Sequence, residues 1–478
     1  MAMEIKTDQF VAAAGRELRN TRSRMFLSRL APYFARSCET AMKTFPDPQA
    51  AIEYGRSIRA DAVARMPELL EAFEKNALAS GAKVIWARTA AEANLFILNL
   101  AKEHGVKYVT KGKSMVTEEM GLNQYLQENG IEPFETDLGE FIIQQLERPP
   151  FHIVGPAINL PVEEIRDLFM AKGVISEPTT DRIKLGAAAR VFLRDKFRHL
   201  QMGITGVNMA VANSGAIINV ENEGNIRLSK SSPKIQVSIM SLEKVVPTMA
   251  DAMHLIRLLC RHCTGQKLSS YVSIDCGPKK SDEVDGPEEL YIIILDNGRT
   301  KIYQDLKDRE ALRCIRCGAC LNACPVYGKI GGYPYGWAYS GPMGQVLTPL
   351  LLGLDKTSDL YHATTLCGAC KAVCPAGIDH PGLFLQYRAK QVEQRSFGKI
   401  IPDRQTAFFN LWGWGIATGR RWNFGIKLLR PFINRYAQNG VINKMIKPLD
   451  GWFKTRTLPA LARRTFHERW KKIGKDSK

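Results

Sequence analysis

Apolar residues recur at three- and four-residue intervals through DPQAAIEYGRSIRADAVARMPELLEAFEKNALAS (residues 47–80), with few breakers. That period predicts helices over the first 80 or so residues. Short apolar runs then alternate with helical stretches: AKVIWA before AAEANLFILNLAKEHG, VKYVT before TEEMGLNQYLQENG, and IEPFETD before LGEFIIQQLE, followed by FHIVGPAI. Gly105 and Gly130 stop helices just ahead of strands, where a left-handed cap is needed. Such alternation predicts a mainly parallel sheet covered by helices. A helical insertion, TTDRIKLGAAARVFLRDKFRHL, precedes further strand-like runs in NMAVANSGAIINV, KIQVSIM and ELYIIIL. The pattern breaks near residues 300–312, leads into a cysteine-rich stretch, and beyond Pro381 becomes basic, aromatic and helical. The expected parts are an N-terminal helical region (1–80), an α/β domain (81–300), a helical cysteine module (301–385) and a basic C-terminal region (386–478).

Composition narrows the setting. No run of about 18 apolar residues occurs, so no membrane-spanning helix is expected. The start has no apolar stretch before a small-residue cleavage site, so the expected location is the cytoplasm or the inner face of a membrane. Thiols stay reduced there, and closely spaced cysteines read as metal ligands. The net charge of +18 is uneven: Arg388–Lys478 holds 21 Lys and Arg against 5 Asp and Glu. A neutral body with a basic end argues against nucleic acid as the partner.

The chemistry is concentrated in CIRCGACLNACP, from Cys314, and LCGACKAVCP, from Leu366. Aligned on GAC, Cys317, Cys320 and Cys324 match Cys367, Cys370 and Cys374, while Cys314 matches Thr364. Cysteines at i, i+3 and i+6 grip three corners of one iron–sulfur cubane, and the cysteine before proline ligates the other cluster. The pairing predicts one 4Fe–4S cluster on Cys314, Cys317, Cys320 and Cys374. A second rests on Cys324, Cys367 and Cys370, with Thr364 at its remaining corner. A hydroxyl is a poor iron ligand, which leaves a 3Fe–4S cluster, an open-cornered 4Fe–4S cluster, or a distant ligand from Cys260, Cys263, Cys276 or His362. The open corner is favoured. Zinc is the rival, but zinc ribbons do not use this triplet, and one zinc cannot take seven thiolates. Cys260 and Cys263 share a helix face, so small buried side chains are the plain reading, with zinc beside His262 and Cys276 the alternative. Cys38 stands alone. No flavin or nicotinamide fingerprint follows the early strands, so electrons come from another site or subunit. The loop GKIGGYPYG is expected to wrap the clusters, ahead of phosphate binding.

Polar-glycine stretches TKGKSM, ETDLGE, GITGVN and ENEGN fall where strands should end. Ligands gather there in open α/β sheets. Lys113, Glu135, Asp137, Asn213, Glu223 and Asn225 are candidate polar-site residues, each weighed against an ordinary turn or cap role.

KSMVTEEMGLNQYL, GIEPFETDLGEFIIQ, HIVGPAI, GITGVNMAVANSGAIINVENEGN and EKVVPT, ahead of the seven-cysteine module, resemble the lactate utilization protein B family, which joins a LUD domain to such a module. The resemblance covers roughly residues 60–470. It implies an α/β fold similar to sugar-phosphate isomerases and CoA transferases. It also implies two partners, a cysteine-rich subunit and a stand-alone LUD subunit, and a shared role in oxidising L-lactate to pyruvate. The family's cluster ligands fall on the seven module cysteines, and its missing eighth cysteine is part of the pattern. It assigns no catalytic residue.

The reading is therefore an electron-transfer subunit of an L-lactate dehydrogenase-type complex, its acceptor unassigned. Rivals are direct binding of the hydroxy acid at the open corner, or a nucleic-acid-binding regulator with structural clusters. FFNLWGWGIATGRRWNFGIKLLRPFINRY gives the tail three uses: partner docking and packing on the body, then peripheral membrane contact.

Overall fold

The computed structural model describes residues 5–396, 404–446, 449–454 and 456–476. It forms two compact units, Met1–Ala389 and Lys390–Lys478.

The first unit opens with helices Phe10–Arg19, Thr21–Met42, Pro48–Ala64 and Met66–Ala79. Asp47 starts the third by accepting the Ala50 amide at 2.9 Å, with Pro48 at the first helical position. Ten strands follow: β1 (Lys83–Ala87), β2 (Tyr108–Lys111), β3 (Glu132–Glu135), β4 (Met202–Gly206), β5 (Met209–Val211), β6 (Ala216–Glu221), β7 (Ile235–Ser241), β8 (Val245–Val246), β9 (Tyr271–Asp275) and β10 (Glu289–Leu295). Six make an all-parallel sheet in the order β1-β10-β7-β4-β2-β3. The other four form a smaller sheet, β8-β5-β6-β9, antiparallel except between β5 and β8. Gly105 and Gly130 take positive φ (63° and 80°) at the helix ends before β2 and β3.

Both faces of the parallel sheet are covered, which is why its strands read as unbroken apolar runs. Along β10, Ile292 and Ile294 face one core, and Ile293 and Leu295 the other. The first of these cores also contains Leu312, Met343, Leu347, Cys374, Ile378 and Phe384. The cysteine module is therefore packed into the apolar interior of the α/β sheet. A third core joins Ile315, Cys317 and Ala319 to the small sheet and to helix Met249–Cys263.

Two expectations need correction. FHIVGPAI is not a strand: the Phe151 amide turns back to the Pro156 carbonyl at 2.9 Å, and the segment runs as bends and turns. Strand β9, YVSID, was not among the expected runs, because its half-exposed residues lack an unbroken apolar pattern. The insertion forms helix Arg182–Arg198.

In the second unit, helices Arg404–Ile416 and Gly419–Asn434 precede a small antiparallel sheet of Ala437–Gln438, Val441–Ile442 and Leu458–Pro459, then helix Phe466–Asp476. Residues 397–403, 447–448, 455 and 477–478 of the basic region lie outside the described residues. Among the described residues no helix is long and apolar enough to cross a membrane.

Candidate metal centre

The two cysteine motifs share a backbone as well as a sequence. Arg316 and Leu366, at equivalent places, both take positive φ (63° and 53°), as do Gly318 and Gly368 (76° and 81°). Each motif then enters a short helix, Ala319–Ala323 or Ala369–Ala372. Changes of backbone hand curl successive N–H groups toward one side, a concavity suited to anions. The Arg316 amide reaches the Cys314 Sγ at 3.4 Å, and the Tyr327 and Ile378 amides reach the sulfurs of Cys324 and Cys374 at 3.5 Å.

The sulfurs fall into two groups. Cys314, Cys317, Cys320 and Cys374 line one apolar chamber, walled by Met115, Ile153, Tyr339, Met343 and Ile378. Cys324, Cys367 and Cys370 stand within electrostatic range of one another. The last cysteine of each motif thus sits with the other motif's sulfurs. Among the described residues, three or more potential ligand atoms come within 4.8 Å of one another only at Glu118, Glu135 and Glu140; no cysteine set is that tight. Tetrahedral zinc with Zn–S bonds of about 2.3 Å would draw its sulfurs to about 3.8 Å apart. A 4Fe–4S cube is larger than one ion and accommodates a wider spacing of its sulfurs.

Burial decides the protonation of the sulfurs when no metal is bound. It pushes the Cys317 and Cys320 thiols well above the ordinary thiol range, and those of Cys370 and Cys374 up to about 11. Exposed Cys367 is lowered instead, chiefly by the Thr365 side chain. Loading a cluster must therefore displace protons from the buried sulfurs.

The eighth place is not filled by a sulfur among the described residues. The Thr364 hydroxyl accepts the Leu366 amide at 3.1 Å, which ties it to the loop. His362 is exposed and its ring lies against Tyr361 at 5.2 Å. Cys276 is exposed, while Cys260 and Cys263 line a different cavity. The zinc alternative at those residues also fails to assemble. His262 turns its Nδ1 to the Leu258 carbonyl at 2.9 Å, and no metal-spaced group forms there among the described residues.

That second cavity opens at the carboxyl ends of β4 and β7 and shares Met115, Ile153, Arg316 and Tyr339 with the cysteine chamber. Of the six candidate polar residues, Lys113, Asp137, Glu223 and Asn225 line it. The Lys113 ammonium is held by the Val154 carbonyl at 2.6 Å, and Asp137 caps the amides of Gly139 and Glu140. Glu135 belongs elsewhere: it is buried against Lys111, 2.7 Å away, on a separate cavity with Glu118 and Glu140. Asn213 lines neither cavity and gives its amide to the Pro247 carbonyl at 3.2 Å, so it is a turn residue.

Five charged residues at the centre were not anticipated. Arg59, 1% exposed, donates to the carbonyls of Leu312 (2.8 Å), Arg313 (3.0 Å), Glu243 (2.7 Å) and Val245 (3.2 Å), fixing the chain that enters Cys314. Glu243 accepts from Arg299 at 2.9 Å and from Arg316 at 3.0 Å, and these cations hold its carboxyl down to about 2 against the cost of burial. Lys244 follows Glu243 directly after β7. The available signals were an arginine among the buried positions Ile58, Ala62 and Val63, and a charged pair just past an apolar strand.

Comparison with known proteins agrees with this layout. Residues 70–295 match the LUD domain, and residues 310–378 a 4Fe-4S dicluster domain. Lactate utilization protein B of Bacillus pumilus (strain SAFR-032) is 41% identical over 427 residues, 89% of each chain. Its counterpart in Bacillus thuringiensis (strain Al Hakam) is 39% identical over 419 residues, 88% of this chain and 87% of that protein. A crystal structure of a DUF162 family protein from Deinococcus radiodurans covers 48% of this chain and 98% of its own at 14% identity, with a TM-score of 0.25, too slight a likeness to bear on the fold.

Proposed function

Because the chain belongs to the lactate utilization protein B family, we propose that it is the iron–sulfur electron-transfer subunit of a complex oxidising L-lactate to pyruvate. In this reading it works beside a cysteine-rich subunit and a stand-alone LUD subunit. Its α/β domain has the fold of sugar-phosphate isomerases and CoA transferases. Two clusters bind, one on Cys314, Cys317, Cys320 and Cys374, and an open-cornered 4Fe–4S cluster on Cys324, Cys367 and Cys370. The observation that supports the reading is the crossed grouping of the sulfurs within a match to a 4Fe-4S dicluster domain. Such clusters, when bound, take up and release electrons singly.

The chain's own residues set the conditions for this. Four sulfurs in an apolar chamber exclude water from the first centre, and backbone amides offer hydrogen bonds to sulfur, a main control on potential. Exposed Cys367 brings the second centre to the surface, where an acceptor can approach. A cluster held by Cys314, Cys317, Cys320 and Cys374 would be shielded beside the strand-end cavity, and one held by Cys324, Cys367 and Cys370 would lie nearer the surface.

Cys374→Ser is the direct test, on protein purified without oxygen. It should abolish the paramagnetic signal of the first cluster and remove about half of about eight irons, although Cys374 lies in the second motif. Loss of the second cluster alone would refute the crossed grouping.

A further inference from the structure

Two cations on the strand-end cavity, Arg316 and Lys244, are not fully satisfied by their neighbours. Its lining holds Lys113, Lys244 and Arg316 against Asp137, Glu221 and Glu223, while Arg59, Arg299, Glu119 and Glu243 adjoin it without lining it. Arg299 is satisfied by Glu119 and Glu243, and Arg59 by carbonyl oxygens. Arg316 and Lys244 are not. The Arg316 side chain is 10% exposed and gives Nη2 to Glu243, but its Nη1 is buried with no hydrogen-bond partner. A buried unpaired donor on a charged group is costly, and natural sites rarely keep one without a ligand to meet it. Arg316 also takes φ 63°, the backbone hand that Leu366 shares in the second motif. Among the described residues the Lys244 ammonium has no hydrogen-bond or ion-pair partner.

The acids on the far wall do not compete for these cations. Both oxygens of Glu221 accept backbone amides, from Ile226 at 2.7 Å and Arg227 at 3.0 Å, and Glu223 accepts the Leu138 amide at 3.0 Å. Asn208, on the same cavity, accepts the Val220 amide through Oδ1 at 2.9 Å, which leaves its NH2 group as a neutral donor. Two cations and an amide donor facing one space suit a carboxylate with a second oxygen beside it.

We propose that this cavity binds a small 2-hydroxy or 2-oxo carboxylate, its carboxylate held by Arg316 and Lys244, against the wall of the first cysteine group. The choice of acid rests on the function proposed above; the site itself rests on the unmet Arg316 Nη1 donor and on Lys244. An alternative role for the same cations is to offset the charge of sulfurs in the neighbouring chamber.

The test is calorimetric titration of the full-length, anaerobically purified protein with L-lactate and with pyruvate, using acetate as the control. Saturable binding of both acids is expected, weakened about tenfold or more in Lys244→Gln and in Arg316→Gln and little changed in Glu177→Gln, an exposed residue outside the cavity. Iron content and reducible paramagnetic signals, measured on the same samples, report the electron-transfer reading separately. If Arg316→Gln fails to fold, half-buried Lys244, which lies outside the cysteine motif, still decides the matter. No saturable binding by the wild type, or undiminished binding in Lys244→Gln, overturns the proposal. So does a change confined to the redox potential of the first cluster, which would assign the cations to the sulfurs.

Discussion

His152 and His380 are buried imidazoles beside the cysteine module, and burial lowers both to about 4. His152 accepts the Val154 amide at Nδ1 (3.1 Å), so its Nε2–H points at the Asn322 oxygen (3.2 Å), and it stacks on Phe34. His380 lines the cysteine chamber. In the unfolded chain an imidazole titrates near 6.5, so at mildly acid pH the unfolded state binds protons that the folded state refuses. The sign follows: stability falls as pH drops through the window between the two values. From about pH 7 to about pH 5 each histidine should cost about 2 kcal/mol. Urea midpoints at the two pH values should show this for the wild type, with a shallower fall in His152→Gln. Residue roles were unevenly legible in the sequence. The 4Fe-4S dicluster domain could be read because it spaces its cysteines closely within one short segment. Arg59, Lys244 and Arg316 could not, because their roles arise only where a helix, a strand end and a metal loop meet.

At the scale of elements, the contact that most clearly needs its sequence is between FHIVGPAI and the glycine loop. A Cβ at Gly332 would lie 1.9 Å from the Phe151 carbonyl oxygen, and one at Gly331 2.2 Å from the Phe151 ring. Gly318 packs in turn on Ile153 and Val154. The bent segment thus covers the first motif, and Tyr327 fastens it by donating to the Phe151 carbonyl at 2.9 Å. Gly332→Ala has no room without moving backbone, and should destabilise the protein by about 1–3 kcal/mol while speeding iron loss to a chelator. An unchanged release rate would show that the cover is not what retains the metal. The alternation of strands and helices was readable because parallel strands buried on both faces leave unbroken apolar runs. FHIVGPAI has the same composition and misled for that reason: its apolar residues are buried by a loop and not by a sheet.

For the whole molecule, the main question is what covers the second unit. Its five tryptophans, Trp412, Trp414, Trp422, Trp452 and Trp470, are 40–63% exposed, as are Phe408, Phe424, Leu428 and Phe432 at comparable levels. Trp412 meets Trp422 edge-on at 5.9 Å, and Arg421 lies over Trp414 at 4.6 Å, so the two helices present one aromatic, cationic surface. From Arg404 to Leu449 the sequence has eight Lys and Arg and no Asp or Glu. Aromatic and arginine side chains with acids excluded would suit an acidic partner. In the proposed complex that partner is one of the other subunits. The charge asymmetry was visible in the sequence; the exposure of the aromatic residues was not, since the same helices could have been buried. Replacing Trp412, Trp414, Phe424 and Phe432 with serine should leave iron content and cluster spectra intact, and weaken association with the partner subunits at least about thirtyfold. Size-exclusion chromatography of the mixed subunits reads that loss. Sedimentation with vesicles containing anionic lipid is the matched control: wild-type binding that the same substitutions abolish, with subunit assembly unimpaired, would transfer this surface from a protein partner to a membrane.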